Sequence, residues 1–167
     1  MEFEESGLQF EFDDDSCYRI ELCPAAEAVG KGIKKAEFLC VQENNLWVLE
    51  AKSSIPNETK DKVRYEEWWQ EIYEKLYNSL QLTALGLVGR HEALGNGVPD
   101  KLIFSDWSAL KIQLVLVIPD APKAYLPPLT DKLQKKFQTL FLKLWKIKPN
   151  EIMVLNRDLA RRKALCQ

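Results

Sequence analysis

Histidine occurs once in this chain of 167 residues, as His91, and the four cysteines, Cys17, Cys23, Cys40 and Cys166, show no CxxC spacing. That inventory argues against a Cys/His zinc site. A disulfide framework is not needed at this length and a cytosol would reduce it, so Cys40 reads as a small buried apolar residue. Long apolar runs are missing too. The longest, Leu114 to Ile118, is far too short to span a bilayer. The opening MEFEES lacks the basic start and apolar core of a signal peptide, and the location expected is cytoplasmic. The cluster Gly95-Asn96-Gly97 is not followed by the Lys-Ser/Thr of a phosphate loop. No candidate nucleophile lies near His91 in sequence, so no catalytic triad is suggested.

Charge is abundant and unevenly spread. The net value is −2, yet residues 131–167 carry ten Lys/Arg against three Asp/Glu, and residues 1–130 carry thirteen against twenty-two. The basic C-terminal segment 131–167 is either a solvated face or an anion-binding surface for nucleic acid, with Lys135, Lys136, Arg161, Arg162 and Lys163 as the candidate contacts.

Periodicity predicts a hairpin from Leu8–Phe12 and Tyr18–Leu22 around an acidic turn, then a short helical turn through residues 25–28. A second hairpin follows, from Lys35–Gln42 and Leu46–Lys52. Trp68, Trp69, Ile72, Tyr73, Leu76, Leu80, Thr83 and Leu87 form one apolar stripe, which predicts a long helix over 62–87. Residues 111–118, β-branched and nearly all apolar, suit a strand buried on both faces. Thr130 is a good N-cap for a helix over 131–146 with Leu133, Phe137, Leu140, Phe141 and Leu144 on its buried side. A strand at 151–155 and a basic helix at 157–165 close the chain. The expected fold is a single domain over 1–167 of α/β class, bordering on α+β, with a mixed central sheet flanked by helices.

The second hairpin carries the chemistry. With Asn44-Asn45 as a two-residue turn, partners sum to 89, so Leu39 faces Glu50 and Glu37 faces Lys52. Side chains alternate, and Glu37, Glu50 and Lys52 share one face, Glu50 lying diagonal to Glu37 at about 7–8 Å. The opposite face, with Phe38, Cys40, Trp47, Leu49 and Ala51, is core. Two long carboxylates at that separation can converge on one cation. The plainer reading is a cross-strand Glu37–Lys52 ion pair.

An acid on one strand, followed thirteen residues later by Glu50-Ala51-Lys52 on the next, resembles the PD-(D/E)XK nuclease superfamily, the restriction-endonuclease-like fold. The later order of helix, buried strand, helix and strand also resembles that core, over roughly residues 17–155. The resemblance implies a metal-dependent nuclease that hydrolyses phosphodiester bonds of DNA, or less favourably RNA. Glu37, Glu50 and Lys52 would be its catalytic residues. Mg²⁺ or Mn²⁺ would be held by Glu37, Glu50 and the carbonyl of Ala51. Lys52 would position water or stabilise charge rather than act as a base, because two adjacent carboxylates oppose its deprotonation. Glu37 stands where the family usually has Asp. Many members add an acid on a helix before the hairpin; no such helix is evident here, and Glu27 and Glu21 are the nearby candidates. One subgroup places Gln and then Tyr on the following helix; Gln81 matches the first, while residue 85 is Leu. These departures keep open a second expectation, a catalytically inactive nuclease-fold module for binding or assembly in a nucleic-acid-processing complex. So short a chain would recognise structure, work as a homodimer, or join a larger protein complex.

Overall fold

The computed structural model describes all 167 residues. Its centre is a five-stranded mixed sheet in the order β3-β4-β5-β6-β7. Strands β3 (Cys17–Tyr18), β4 (Phe38–Gln42) and β5 (Asn45–Ala51) run antiparallel. Strands β6 (Lys111–Val117) and β7 (Ile152–Leu155) then follow β5 in parallel. Parallel neighbours need a crossover. The long helix α2 (Lys62–Leu87) lies in the first crossover and α5 (Leu126–Lys136) in the second. The carboxyl ends of β5, β6 and β7 therefore share one edge, where ligands characteristically bind in open α/β sheets.

Both sheet faces are covered. Leu39, Val41, Leu46, Val48, Leu114 and Leu116 pack against the Trp69, Ile72, Leu76 and Leu80 stripe of α2. Phe38, Cys40, Trp47, Leu49, Val115 and Val117 pack on the other face against Leu8, Phe10 and Phe12 and against Leu165. Asp61 caps α2 by accepting from the Arg64 N–H at 2.9 Å. The helix then packs backbone to backbone against α3 (Glu92–Gly95): a Cβ on Gly86 would lie 2.7 Å from the carbonyl carbon of Leu94.

Four expectations are corrected. Leu8–Glu11 (β2) pairs not with the residues after it but with Glu2–Glu5 (β1), through a Ser6-Gly7 turn in which both residues have positive φ. Such a turn matches the right-handed twist of a hairpin. Residues 18–22 yield a two-residue strand followed by a 3₁₀ turn at Ile20–Leu22. The β4–β5 turn is Glu43-Asn44, with Glu43 at φ 51°, so partners sum to 87, as in Phe38 with Leu49. The shift is two residues, an even number, and the faces are kept. Finally, 131–146 is not one helix. α5 starts at Leu126 with Pro127 and Pro128 in its first turn, where proline is tolerated. It stops at Phe137, and α6 (Thr139–Trp145) leaves Leu140 and Leu144 exposed. Thr130 does not cap it; its hydroxyl accepts from the Val154 N–H at 3.0 Å.

Short helices α1 (Ala25–Val29), α4 (Asp100–Phe104) and α7 (Arg157–Arg162) complete the chain. No helix is long and apolar enough to cross a membrane.

Candidate functional site

Glu50 occupies the last turn of the pleat before β5 ends, beside Leu116 of β6, and points to the α2 face. It is 0% exposed. Its Oε1 accepts from Lys75 Nζ of α2 at 2.7 Å and forms an ion pair with Lys52 Nζ at 3.0 Å. Its Oε2 has no partner. One step beyond the paired residues of β4, the observed register sets Glu37 opposite Glu50 itself, not opposite Lys52. Glu37 is 4% exposed, and its carboxylate makes no hydrogen bond or ion pair; Oε2 is wholly shielded from solvent. The plain Glu37–Lys52 pair is thus absent, and Lys52 instead bridges Glu50 and, at 4.0 Å, Glu71.

Burial is the main reason that the pKa values of Glu37 and Glu50 lie above the ordinary 4.5. Glu5 adds to the rise at Glu37, while Lys75, Lys52 and Arg19 oppose it. At Glu50, Lys75 opposes burial more than Lys52 does. Burial lowers Lys52, but Glu50 and Glu71 together outweigh it and the net direction is upward. Lys52 is therefore a cation at neutral pH, suited to orienting a group or stabilising negative charge, not to taking a proton.

The N-terminal hairpin reaches this site. Glu5 ends β1, and one carboxylate oxygen each from Glu5, Glu21 and Glu37 lie within 4.8 Å of one another. The Ser6 hydroxyl donates to the Ala51 carbonyl at 3.1 Å. The carbonyl expected to face a metal therefore already has one hydrogen-bond donor. Arg19 pairs with Glu21 and lies 3.9 Å over the Phe3 ring. Helix α2 is anchored nearby: the Ala36 N–H donates to the Ser79 hydroxyl at 2.7 Å, and Asn78 donates to the Lys34 carbonyl at 3.1 Å.

The donor set suits a hard divalent cation, because it is all oxygen and includes two buried carboxylate oxygens without partners. Five carboxylates (Glu5, Glu21, Glu37, Glu50, Glu71) meet three cations (Arg19, Lys52, Lys75), an excess of two negative charges.

The other candidates lie elsewhere. Glu27 sits by Lys35 at 3.8 Å and accepts from the Gly32 N–H, apart from the acids. Gln81 is half-buried on α2, six residues beyond Lys75 and so about 120° round the helix from it. Lys136 pairs with Glu66, nine residues before Lys75 and about 14 Å along the axis. Lys135 is an exposed i,i+4 partner of Asp131. Arg162 and Lys163 border a trough of about 1100 Å³ at the β4–β5 turn, with Gln42, Glu43 and Asn45. Asn45 is five residues along β5 from Glu50, about 17 Å away. Arg161 is exposed on the same helix. Arg162 and Lys163 thus lie at the end of the sheet away from the acids, while Arg157 of the same basic segment donates to the Gly7 carbonyl at 2.7 Å, next to Ser6.

Lys75, Glu5, Ser6 and Arg19 were not evident from motif spacing. Lys75 left one signal: it lies between Ile72 and Ser79 on a face of α2 that is otherwise buried. No protein-family model matches the chain, and no curated protein or solved structure gives a significant match.

Proposed function

We propose that the chain is a metal-dependent nuclease of PD-(D/E)XK type, hydrolysing phosphodiester bonds of DNA in preference to RNA. The observation that carries this is the opposition of Glu37 and Glu50, each with an unpartnered buried oxygen, beside the cationic Lys52 at the carboxyl edge of a β–α–β crossover. Mg²⁺ or Mn²⁺ held by Glu37 and Glu50 would neutralise phosphoryl charge and make hydroxide accessible near neutral pH. Lys52 supplies a fixed ammonium toward developing negative charge. Lys75 holds Glu50 in one rotamer by its 2.7 Å hydrogen bond, so the carboxylate need not reorganise. The strand order, antiparallel through β5 and parallel beyond it, supports the resemblance to the restriction-endonuclease-like core. All 167 residues are read as one unit in a cytoplasmic setting, which its four free cysteines suit. Lys135, Lys136, Arg161, Arg162 and Lys163 would contact a long substrate away from the point of cutting, alone or as a homodimer.

A second reading is an inactive nuclease-fold module within a larger complex. Two ammonium groups on Glu50 and the Ser6 hydroxyl on Ala51 favour it, because they fill positions that a metal shell would use. Cleavage assays with Mg²⁺ and Mn²⁺ on linear duplex, single-stranded and branched DNA, and on RNA, separate the two. The nuclease reading expects cleavage that Glu50→Gln and Lys52→Ala each abolish with the fold retained. Wild-type protein inert on every substrate overturns it in favour of the module.

A further inference from the structure

We infer that Glu5, Glu21 and Glu37 together form a seat for one hard divalent cation, assembled by docking of the N-terminal hairpin against the sheet. None of the three belongs to the Glu50-Ala51-Lys52 run, and they come from three separate segments: the end of β1, the 3₁₀ turn after β3, and the approach to β4.

Proximity of carboxylates alone would not carry this. The independent observation is Glu37, which is 96% buried, opens one oxygen onto the cluster and has no hydrogen-bonding or charged partner of its own. A buried ionised carboxylate left so is expensive unless a proton, a water or a cation satisfies it. No neighbouring cation lies within ion-pair distance of Glu37. Lys52 and Lys75 both lie on Glu50 Oε1, and Arg19 is on Glu21. The Glu5 Oε1 accepts from the Ser6 N–H and hydroxyl, which fixes that side chain. Ligands at 2.0–2.1 Å from one ion sit at most about 4.2 Å apart, so three oxygens within 4.8 Å of one another need only a small side-chain shift to close on it, with waters completing the shell.

The inference extends the metal-binding half of the proposed function and does not need the chain to cut a phosphodiester. Its test is Mn²⁺ binding to the full chain without nucleic acid, by calorimetry and by the electron paramagnetic resonance signal of the free ion. Wild type should bind one Mn²⁺. Glu5→Gln and Glu21→Gln, which keep side-chain shape, should each weaken binding about tenfold. Glu71→Gln, on the solvent side of the same network, should change it less than threefold. Circular dichroism and urea unfolding check that each variant is folded, and either Glu5→Gln or Glu21→Gln suffices if the other is not. No Mn²⁺ bound at millimolar concentration overturns the inference. So does wild-type affinity in both Gln variants, or an equal loss in Glu71→Gln, which would mean diffuse attraction. An inert protein whose Mn²⁺ binding depends on Glu5 removes the nuclease and keeps the seat. A cleaving protein that binds Mn²⁺ without regard to Glu5 and Glu21 does the reverse.

Discussion

Lys75→Met tests whether the carboxylate at the centre of the site depends on α2. The substitution keeps an unbranched apolar stem and removes one of two ammonium groups from Glu50, which has no access to water. Breaking a fully buried pair by removing one partner costs roughly 3–5 kcal/mol. Lys75 is 17% exposed, and Lys52 stays 3.0 Å from the same oxygen, so part of that loss is compensated. The expected destabilisation is about 2 kcal/mol at pH 7, or about 4–8 °C in Tm for a domain of this size. The loss should depend on pH. Without Lys75, the Glu50 carboxyl rises further above its ordinary 4.5, so the folded variant retains a proton that the unfolded chain has released. Stability that this proton confers is complete below about pH 4.5 and is lost as pH rises through the folded value. The gap between variant and wild type should therefore widen from pH 5 to pH 8 and close in acid. Urea unfolding across that range measures it. The double variant Glu50→Gln/Lys75→Met closes the cycle and should show coupling of at least about 1 kcal/mol. A Lys75→Met variant within about 0.5 kcal/mol of wild type at pH 7, with no coupling, would mean that the pair behaves as a surface contact and would refute the reasoning.

Gly86→Ala should lower stability by about 1–3 kcal/mol in urea, because the added methyl meets backbone atoms of Leu94 and Gly95 that cannot rotate away. Replacing Arg161, Arg162 and Lys163 together with Ala should weaken duplex binding alike on all sequences, and make the dependence of log K on log salt shallower by up to about three; binding unchanged by the substitutions and by salt would leave the tail a solvated face. Glu37→Asp installs the residue usual in the resembled family and should raise Mn²⁺-dependent cleavage if Glu37 is an imperfect ligand; unchanged cleavage with unchanged metal affinity would argue against that role. Thiol labelling at pH 8 should modify only half-buried Cys166 in the folded protein and all four cysteines in urea, since Cys17 is buried with its thiol pushed up to about 12, and Cys40 and Cys23 are buried as well.

Elements whose identity depends on local pattern were legible. The stripe from Trp68 to Leu87 marked α2, and the apolar run at 111–118 marked β6. The shared face of Glu37, Glu50 and Lys52 was legible by parity alone, and it tolerated the wrong turn because the slip was even. What could not be read depended on partners distant in sequence. Nothing near Lys75 says that it reaches a strand twenty-five residues earlier, and nothing in MEFEES says that Glu5 meets Glu37. Pairing of β2 with β1 was open to a reader who weighed Ser6-Gly7 as a turn, since such a pair favours positive φ. The break after Lys136 was masked because helical periodicity continues through Leu133, Phe137 and Phe141, which are buried before, within and after it.

The hairpin of β1 and β2 is synthesised before the strands it packs on, and has no finished surface to rest on until they follow. Phe3, Phe10 and Phe12 gather round Phe38, with ring centroids 5.1–6.4 Å apart. Their face of the core also takes in Val117, Leu155 and Leu165, and the Gln167 N–H donates to the Gln9 carbonyl at 2.9 Å. Contacts that link the two ends of the chain must wait for nearly all of it to leave the ribosome, and such long-range closure slows folding. During that interval an aromatic strand pair with a free edge is exposed to other nascent chains. Glu2, Glu4, Gln9 and Glu11 alternate on its outer side and keep that face charged and hydrated, which opposes pairing with another chain during the wait.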